Sequence, residues 1–292
     1  MTIKHLVLSG GGPTGFITYG VLKQLHKKNM WNLKNIKSIY GCSIGAMIGV
    51  IISLGYEWSW LDDYFTKRPW HKLIDPLCFI DVIQNRGFLG ISFFEKAIGP
   101  LLTAKGLTLK STMKDLFELT QIELHIFSTN INPKIFEKED ISHTTHPNIS
   151  IVKAVAMSGS IPIIFQPICE KKACYIDGGV LNNFPLQDCI CNQNCDENEI
   201  LALRNIWCRK LYKVTSKTGI FDYILILLRR FQYAIDSEDK QPTIKNTVRC
   251  LIEDLNTFDD WYKPFTEEEL RDTLIKKGVN QANLFLSYIN FT

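Results

Sequence analysis

Tyr40-Gly41-Cys42-Ser43-Ile44-Gly45 lies between two apolar runs of different period. Ahead of it, Ile36, Ile39 and Tyr40 read as a short buried strand. Behind it, Ile44, Met47, Ile48 and Ile51 advance in steps of three and four, as one face of a helix does. A serine between two glycines at a strand-to-helix turn has the form of a nucleophile elbow, in which Gly41 and Gly45 permit a tight turn that pushes the hydroxyl out of the fold. Ser43 is therefore a candidate nucleophile. A serine at a helix start is also an ordinary N-cap, so its role turns on what the chain places beside it.

The segment before the elbow repeats the pattern. His5, Leu6, Val7 and Leu8 form a strand-like run ending in Ser9-Gly10-Gly11-Gly12-Pro13-Thr14-Gly15. Ile17, Val21 and Leu25 then stack at four-residue spacing until Lys27-Lys28-Asn29 closes the helix. Strand, helix and strand make a β-α-β unit, and such units build parallel sheets with helices on the faces. The predicted fold class is α/β, a mostly parallel central sheet flanked by helices. Leu124-His125-Ile126-Phe127 and Ile200-Leu201-Ala202-Leu203 read as further strands. Ligands bind such sheets at the carboxyl ends of the strands, which places both glycine turns on one edge.

The first turn also fits Gly-x-Gly-x-x-Gly through Gly10, Gly12 and Gly15. A dinucleotide site needs an acidic residue about 20 positions onward, and the first is Glu57. A phosphate-binding P-loop needs Lys and Ser or Thr where this chain has Phe16 and Ile17. What remains is a set of backbone N–H groups at a helix start, where an anion is favoured. Gly10, Gly11 and Gly12, with the N–H of Ile44, are the candidate oxyanion hole.

A serine nucleophile needs a base. The histidines are His5, His26, His71, His125, His143 and His146, so the late histidine of an α/β-hydrolase triad is missing. His143 and His146, in a polar stretch ending at Pro147, are one alternative. The other is Asp177 in Tyr175-Ile176-Asp177-Gly178-Gly179-Val180, where Gly178 and Gly179 hold a turn after an apolar strand. With an ordinary pKa near 3.9, such a carboxylate works as a base only in a dry site beside a strong oxyanion hole.

Composition narrows the function classes. Of 292 residues, 46% are apolar and 22% charged, ordinary for a globular protein. A net charge of +3 is too small to suggest nucleic acid. No acidic residue precedes Glu57, whereas Lys4, Lys23, Lys27, Lys28, Lys34 and Lys37 do, leaving a basic N-terminal third suited to an anionic surface or simply to solvent. The start of the chain lacks the pattern of a secretory signal, and no run approaches the roughly 20 apolar residues that span a bilayer. The expected location is cytoplasmic or peripheral at a membrane. On that basis the nine cysteines read as mostly reduced thiols. Cys189, Cys191 and Cys195 lack the spacing of a structural zinc site, and Asn148-Ile149-Ser150 is a coincidental sequon.

Four blocks together resemble the patatin-like phospholipase family. They are the loop at residues 9–15, Gly41-Cys42-Ser43-Ile44-Gly45, Ala156-Met157-Ser158-Gly159-Ser160-Ile161-Pro162 with Phe165-Gln166-Pro167, and Asp177-Gly178-Gly179 with Asn182 and Pro185. They stand in the family's order across residues 5 to 190. The resemblance implies a patatin-like variant of the α/β-hydrolase architecture and a Ser43–Asp177 dyad. It also implies a glycine-loop oxyanion hole and no metal or cofactor. The family usually carries Arg or Lys where this chain has Thr14.

Residues 1–195 are then expected to form the catalytic core, with 196–292 a C-terminal strand and helical extension of the same domain. The expected activity is hydrolysis of phospholipid or other acyl-lipid esters with peripheral membrane contact. A transacylase using the same dyad and a catalytically weak lipid-binding homologue are the alternatives. Phe88, Leu89, Gly90 and Ile91 with Phe93, Phe94, Ile98, Leu101 and Leu102 suggest a helical cap that packs the core or lines an acyl pocket. Ile220, Ile224, Leu227, Phe231 and Ile235 mark a helix face expected to meet the core or a membrane interface, with Asp222, Arg229 and Arg230 turned away. Thr266-Glu267-Glu268-Glu269 reads as the capping box of a terminal helix.

Overall fold

Strand β1 (His5–Leu8) leads through the glycine loop into helix α1 (Gly15–Lys27), and β2 (Ser38–Cys42) leads through the elbow into α2 (Ile44–Ser53). The computed structural model describes residues 2–74, 83–207, 213–235, 242–253, 255 and 257–290. Helix α3 (Trp58–Thr66), strand β3 (Gly87–Leu89), α4 (Ile91–Ala104) and α5 (Met113–Thr120) precede the hairpin of β4 (Glu123–Asn130) and β5 (Glu137–Ile141). Then come α6 (Ile151–Gly159), β6 (Ile163–Phe165), β7 (Ile168–Cys169), β8 (Cys174–Asp177), α7 (Leu186–Gln193) and β9 (Ile200–Trp207). The chain continues through α8 (Ile220–Ile235), β10 (Thr247–Ile252), α9 (Phe258–Thr266) and α10 (Glu268–Asn290).

The main sheet has the order β10-β9-β1-β2-β4-β8-β7, with β5 also paired to β4. Strands β10, β9, β1, β2 and β4 run parallel, β8 runs antiparallel to them, and the edge strand β7 runs antiparallel to β8. The fold is the mostly parallel, helix-flanked α/β sheet that the spacing predicts. Alternate residues point to opposite faces of a strand. Leu6, Leu8 and Ile39 accordingly join the large core under α1, α2 and α10, while Val7, Tyr40 and Cys42 join a smaller one with Phe127, Phe184 and Leu186. Helices α1 and α10 pack through paired glycines. A Cβ on Gly20 would stand 2.2 Å from the Ile275 carbonyl oxygen, and one on Gly278 would stand 2.1 Å from that of Ile17.

Two expectations are corrected, and the reading of mostly reduced cysteines holds. Among the described residues Cys169 and Cys174 form a disulfide across the β7–β8 hairpin, while Cys42, Cys189, Cys191, Cys195 and Cys250 stand outside any disulfide, and Cys78 and Cys208 lie outside the described residues. Thr266 does not cap α10. It ends α9, and its hydroxyl donates to the Lys263 carbonyl at 3.0 Å. A single residue separates the two helices, and buried Arg271 pins the corner by donating to the carbonyls of Thr66 and Pro264. Capping boxes form instead at Thr112 with Asp115 and at Thr257 with Asp260.

The other correction concerns α8. Ile220 and Phe231 are exposed, whereas Leu225 is buried and Arg229 is half-buried over the Trp207 ring. The helix therefore turns inward on the side where the sequence placed its solvent face. The side chain of Ile235 lies outside the described residues.

Candidate active site

The sheet register brings two chain segments together. Strand β2 pairs with β4 up to Cys42 opposite Phe127, and β8 pairs with β4 from Ser128, which faces Asp177. The ends of β2 and β8 thus meet along β4, and Ser43, next after Cys42, comes beside Asp177.

Ser43 has φ 54° and ψ −123°, a conformation that costs an L-residue about 1–3 kcal/mol and persists only where its surroundings enforce it. Those surroundings are close. A Cβ on Gly45 would stand 2.3 Å from the Leu8 carbonyl oxygen, and Gly41 faces the backbone of Gly45 and Ala46 across the turn. The Ser43 N–H donates to Ser158 Oγ at 2.8 Å, and that hydroxyl donates to the Phe127 carbonyl at 2.5 Å.

Asp177 is 5% exposed. Its N–H donates to the Ser160 carbonyl at 2.9 Å, and its Oδ1 accepts the Gly179 N–H at 2.7 Å. Gly178, lacking a side chain, lets the turn lie against the Phe127 carbonyl. Oδ2 is buried with no hydrogen-bond partner among the described residues. Burial pushes the carboxyl up to about 6, against the Ser43 hydroxyl and the Gly179 N–H, which both pull it down. Ser43 is thus near enough to favour the ionised form without completing a hydrogen bond to Oδ2. A buried polar oxygen without a partner is costly, and perturbed, desolvated carboxyls of this kind cluster at functional sites.

The glycine loop needs one amendment. The Gly10 N–H donates to the Asn183 carbonyl at 3.1 Å, which removes it from the candidate donors. Gly11 and Gly12 remain, at the start of a 3-10 turn (Gly12–Thr14) that runs into α1, so the positive end of that helix faces the loop. Gly12 has φ +60°, and a Cβ there would stand 2.1 Å from Trp261 Nε1. Ile44 is the first residue of α2, where a backbone N–H has no acceptor within the helix.

Several residues that hold this arrangement carry no signal in the sequence. Asn205, near the end of β9, donates through Nδ2 to the Gly10 carbonyl at 3.0 Å and to Thr14 Oγ1 at 2.8 Å, and its own N–H donates to Ser9 Oγ. Thr14, at the position where a basic residue was expected, is buried and uncharged. Ser158 and Ser160, read only as part of a family block, each fix the backbone of one reactive residue. His143 stacks on Phe117 and His146 approaches Glu139 at 3.4 Å, and neither is among the described residues lining the cavities at Ser43.

Two cavities meet at Ser43. One is walled by apolar groups that include Met47, Phe65, Trp70, Phe93, Phe94 and Phe165. The hydrophobic stretch of α4 thus serves both as core and as cavity wall. The other is bounded by Gly10, Gly11, Gly12, Asp177, Trp207 and Arg229. Ser43, Gly12, Ile161 and Trp261 line both.

Comparison with known proteins bears on the family and the fold. The chain is 32% identical over 188 residues to the probable lipid hydrolase 463L of Invertebrate iridescent virus 6, covering 63% of this chain and 62% of that protein. It is 40% identical over 66 residues to the cUMP-AMP-activated phospholipase of Escherichia coli, 22% of this chain and 21% of that one. The match therefore spans about three fifths of the viral relative and a fifth of the bacterial one. VipD from Legionella pneumophila shares the fold with a TM-score of 0.64 at 18% identity, over 99% of this chain and 67% of that one. The effector ExoU shares it with a TM-score of 0.52 at 16% identity, over 99% of this chain and 53% of that one. The sequence profile of patatin-like phospholipases matches residues 6–190, a span that holds the glycine loop, Ser43 and Asp177, and the chain belongs to that family.

Proposed function

We propose that the chain is a serine lipid acyl hydrolase of the phospholipase A type, working through Ser43 and Asp177. One observation carries the reading: a buried carboxylate with an unpartnered oxygen stands beside a serine on a strained turn, where an apolar and a polar cavity meet. A carboxyl held at about 6 is a stronger base than an ordinary aspartate and is still mostly ionised at neutral pH.

Asp177 takes the Ser43 proton as Oγ attacks the ester carbonyl. The N–H groups of Gly11, Gly12 and Ile44 hold the oxyanion, where each such donor is worth about 10²–10³ in rate. The departing alcohol takes the proton back from Asp177, leaving an acyl-serine. Water then gives a proton to Asp177 and attacks the acyl carbon, and the fatty acid leaves as the proton returns to Ser43. The apolar cavity suits the acyl chain. Among the described residues no helix is long and apolar enough to cross a membrane. The exposed Ile220, Tyr223 and Phe231 of α8 instead suit contact with a lipid surface.

A fluorophosphonate probe is expected to label the wild type and not Ser43→Ala. Phospholipid vesicles are expected to lose fatty acid to the wild type and to neither Ser43→Ala nor Asp177→Asn. Labelling that persists without Ser43 overturns the dyad, and vesicle binding without release by the wild type turns the reading to a lipid-binding protein. An added lysolipid that becomes acylated identifies a transacylase.

A further inference from the structure

The two cavities at Ser43 differ in the kind of group they can hold, and the difference centres on a residue beyond the family match. Among the described residues lining the second cavity, Arg229 of α8 is the only cation. Its guanidinium carbon lies 4.0 Å from the centroid of the Trp207 ring, and its Nη2 donates to the Leu255 carbonyl at 2.6 Å. Stacking and this hydrogen bond hold a group that would otherwise lose much rotational freedom on binding a ligand. Trp207 ends β9, two residues past the Asn205 that grips the glycine loop. The cation is therefore fixed to the same strand end as the oxyanion donors.

We propose that Arg229, held on Trp207, receives the phosphate of the substrate's head group and so selects phosphate-bearing acyl lipids over neutral ones. The assignment rests on the acyl hydrolase reading for its orientation. With the acyl chain in the apolar cavity and the ester carbon at Ser43, the alcohol portion must leave toward the second cavity. A phosphate on that portion enters the space that Arg229 lines. Without a cation, a phosphate there would lose hydration with little in return. With a guanidinium it gains a charge-assisted hydrogen bond of the geometry that arginine makes best.

The test uses Ser43→Ala protein, so that ligands bind without turnover. Calorimetry compares dihexanoyl phosphatidylglycerol with dihexanoylglycerol. The phosphate-bearing ligand is expected to bind at least tenfold more tightly, and adding Arg229→Gln is expected to bring the two within about twofold. Equal binding to the Ser43→Ala protein, or a preference that survives Arg229→Gln, overturns the proposal. Inorganic phosphate titrated alone is expected to bind at least tenfold more weakly than the phospholipid, and equal binding would give the cavity to free phosphate and overturn the head-group assignment. Should Arg229→Gln unfold the protein by releasing the Leu255 carbonyl, Arg229→Lys carries the test. It keeps the charge and loses the stacked fork, so at least a threefold loss of preference is expected and an unchanged preference overturns the proposal. Preference without turnover by the wild type would leave Arg229 in this role while removing the hydrolase reading, and turnover without preference would do the reverse.

Discussion

The loop after β1 and the elbow after β2 are neighbours on adjacent parallel strands, each passing from strand to helix through glycines. They are held in opposite ways. The elbow is shaped mostly by near neighbours, with Gly45 pressed on β1 at Leu8 and Ser43 forced to positive φ, and with one distant hydroxyl, that of Ser158, accepting the Ser43 N–H. The loop is shaped by Asn183 and Asn205, which reach Gly10 from 173 and 195 positions away. The turn that carries the proposed nucleophile is thus set mostly by its neighbours, while the proposed oxyanion hole depends on contacts the chain makes only when folded.

Substitutions can set the two turns against each other. Ser43→Ala should remove lipid hydrolysis almost entirely, by about 10⁴-fold or more in kcat, with the melting temperature little changed. A smaller loss would mean that the hole alone does most of the work. Asp177→Asn should cost about 10³–10⁴ in kcat/KM and also change stability. Folding raises this carboxyl from its ordinary 3.8 to about 6, so the folded protein binds the proton more tightly than the unfolded chain. Stability therefore falls as pH climbs through that window. Denaturant titration should find Asp177→Asn more stable than wild type by roughly 2–3 kcal/mol at pH 8, with no gain at pH 4. Wild-type kcat/KM should rise through about pH 6 and then level, as the base ionises.

On the loop, Gly12→Ala should lower kcat by about 10²-fold, since the new Cβ meets Trp261 and the residue must hold positive φ. Asn205→Ala should cost about tenfold in kcat with KM nearly constant, because it frees the Gly10 carbonyl and Thr14 without touching the substrate cavity wall. An unchanged kcat would show that the loop keeps its shape unaided. The smallest effect belongs to the elbow's support. Ser158→Ala removes the acceptor of the Ser43 N–H and a donor to the Phe127 carbonyl and should lower unfolding free energy by about 1–3 kcal/mol, with a few-fold change in rate.

What the sequence made legible follows the same division. Periodicity placed β1, α1, β2 and α2, because Leu6, Ile17, Ile39 and Ile48 obey the geometry of their own elements. Glycine spacing located the elbow, and the position of Asp177 after a strand marked the carboxylate. The amide of Gly10 could not be assigned, since its acceptor is the carbonyl of Asn183, an ordinary residue in an ordinary turn. Arg229 was assigned to solvent by the apolar steps along α8. Its true side depends on Trp207 and Leu255, which no local period contains. The box at Thr266 failed because the pattern cannot tell whether the preceding residues are already helical.

The glycine contact between α1 and α10 bears on the order in which a ribosome would make this chain. Ser43 and Asp177 emerge early, yet the helix that carries the glycine loop is clasped at Gly20 by residues near Ile275 and Gly278, and the loop itself waits for Asn205 and Trp261. A nascent chain halted before residue 278 would carry both reactive side chains without the clasp that steadies α1. The order of synthesis thus sets the candidate site's side chains before the contacts that shape its glycine loop.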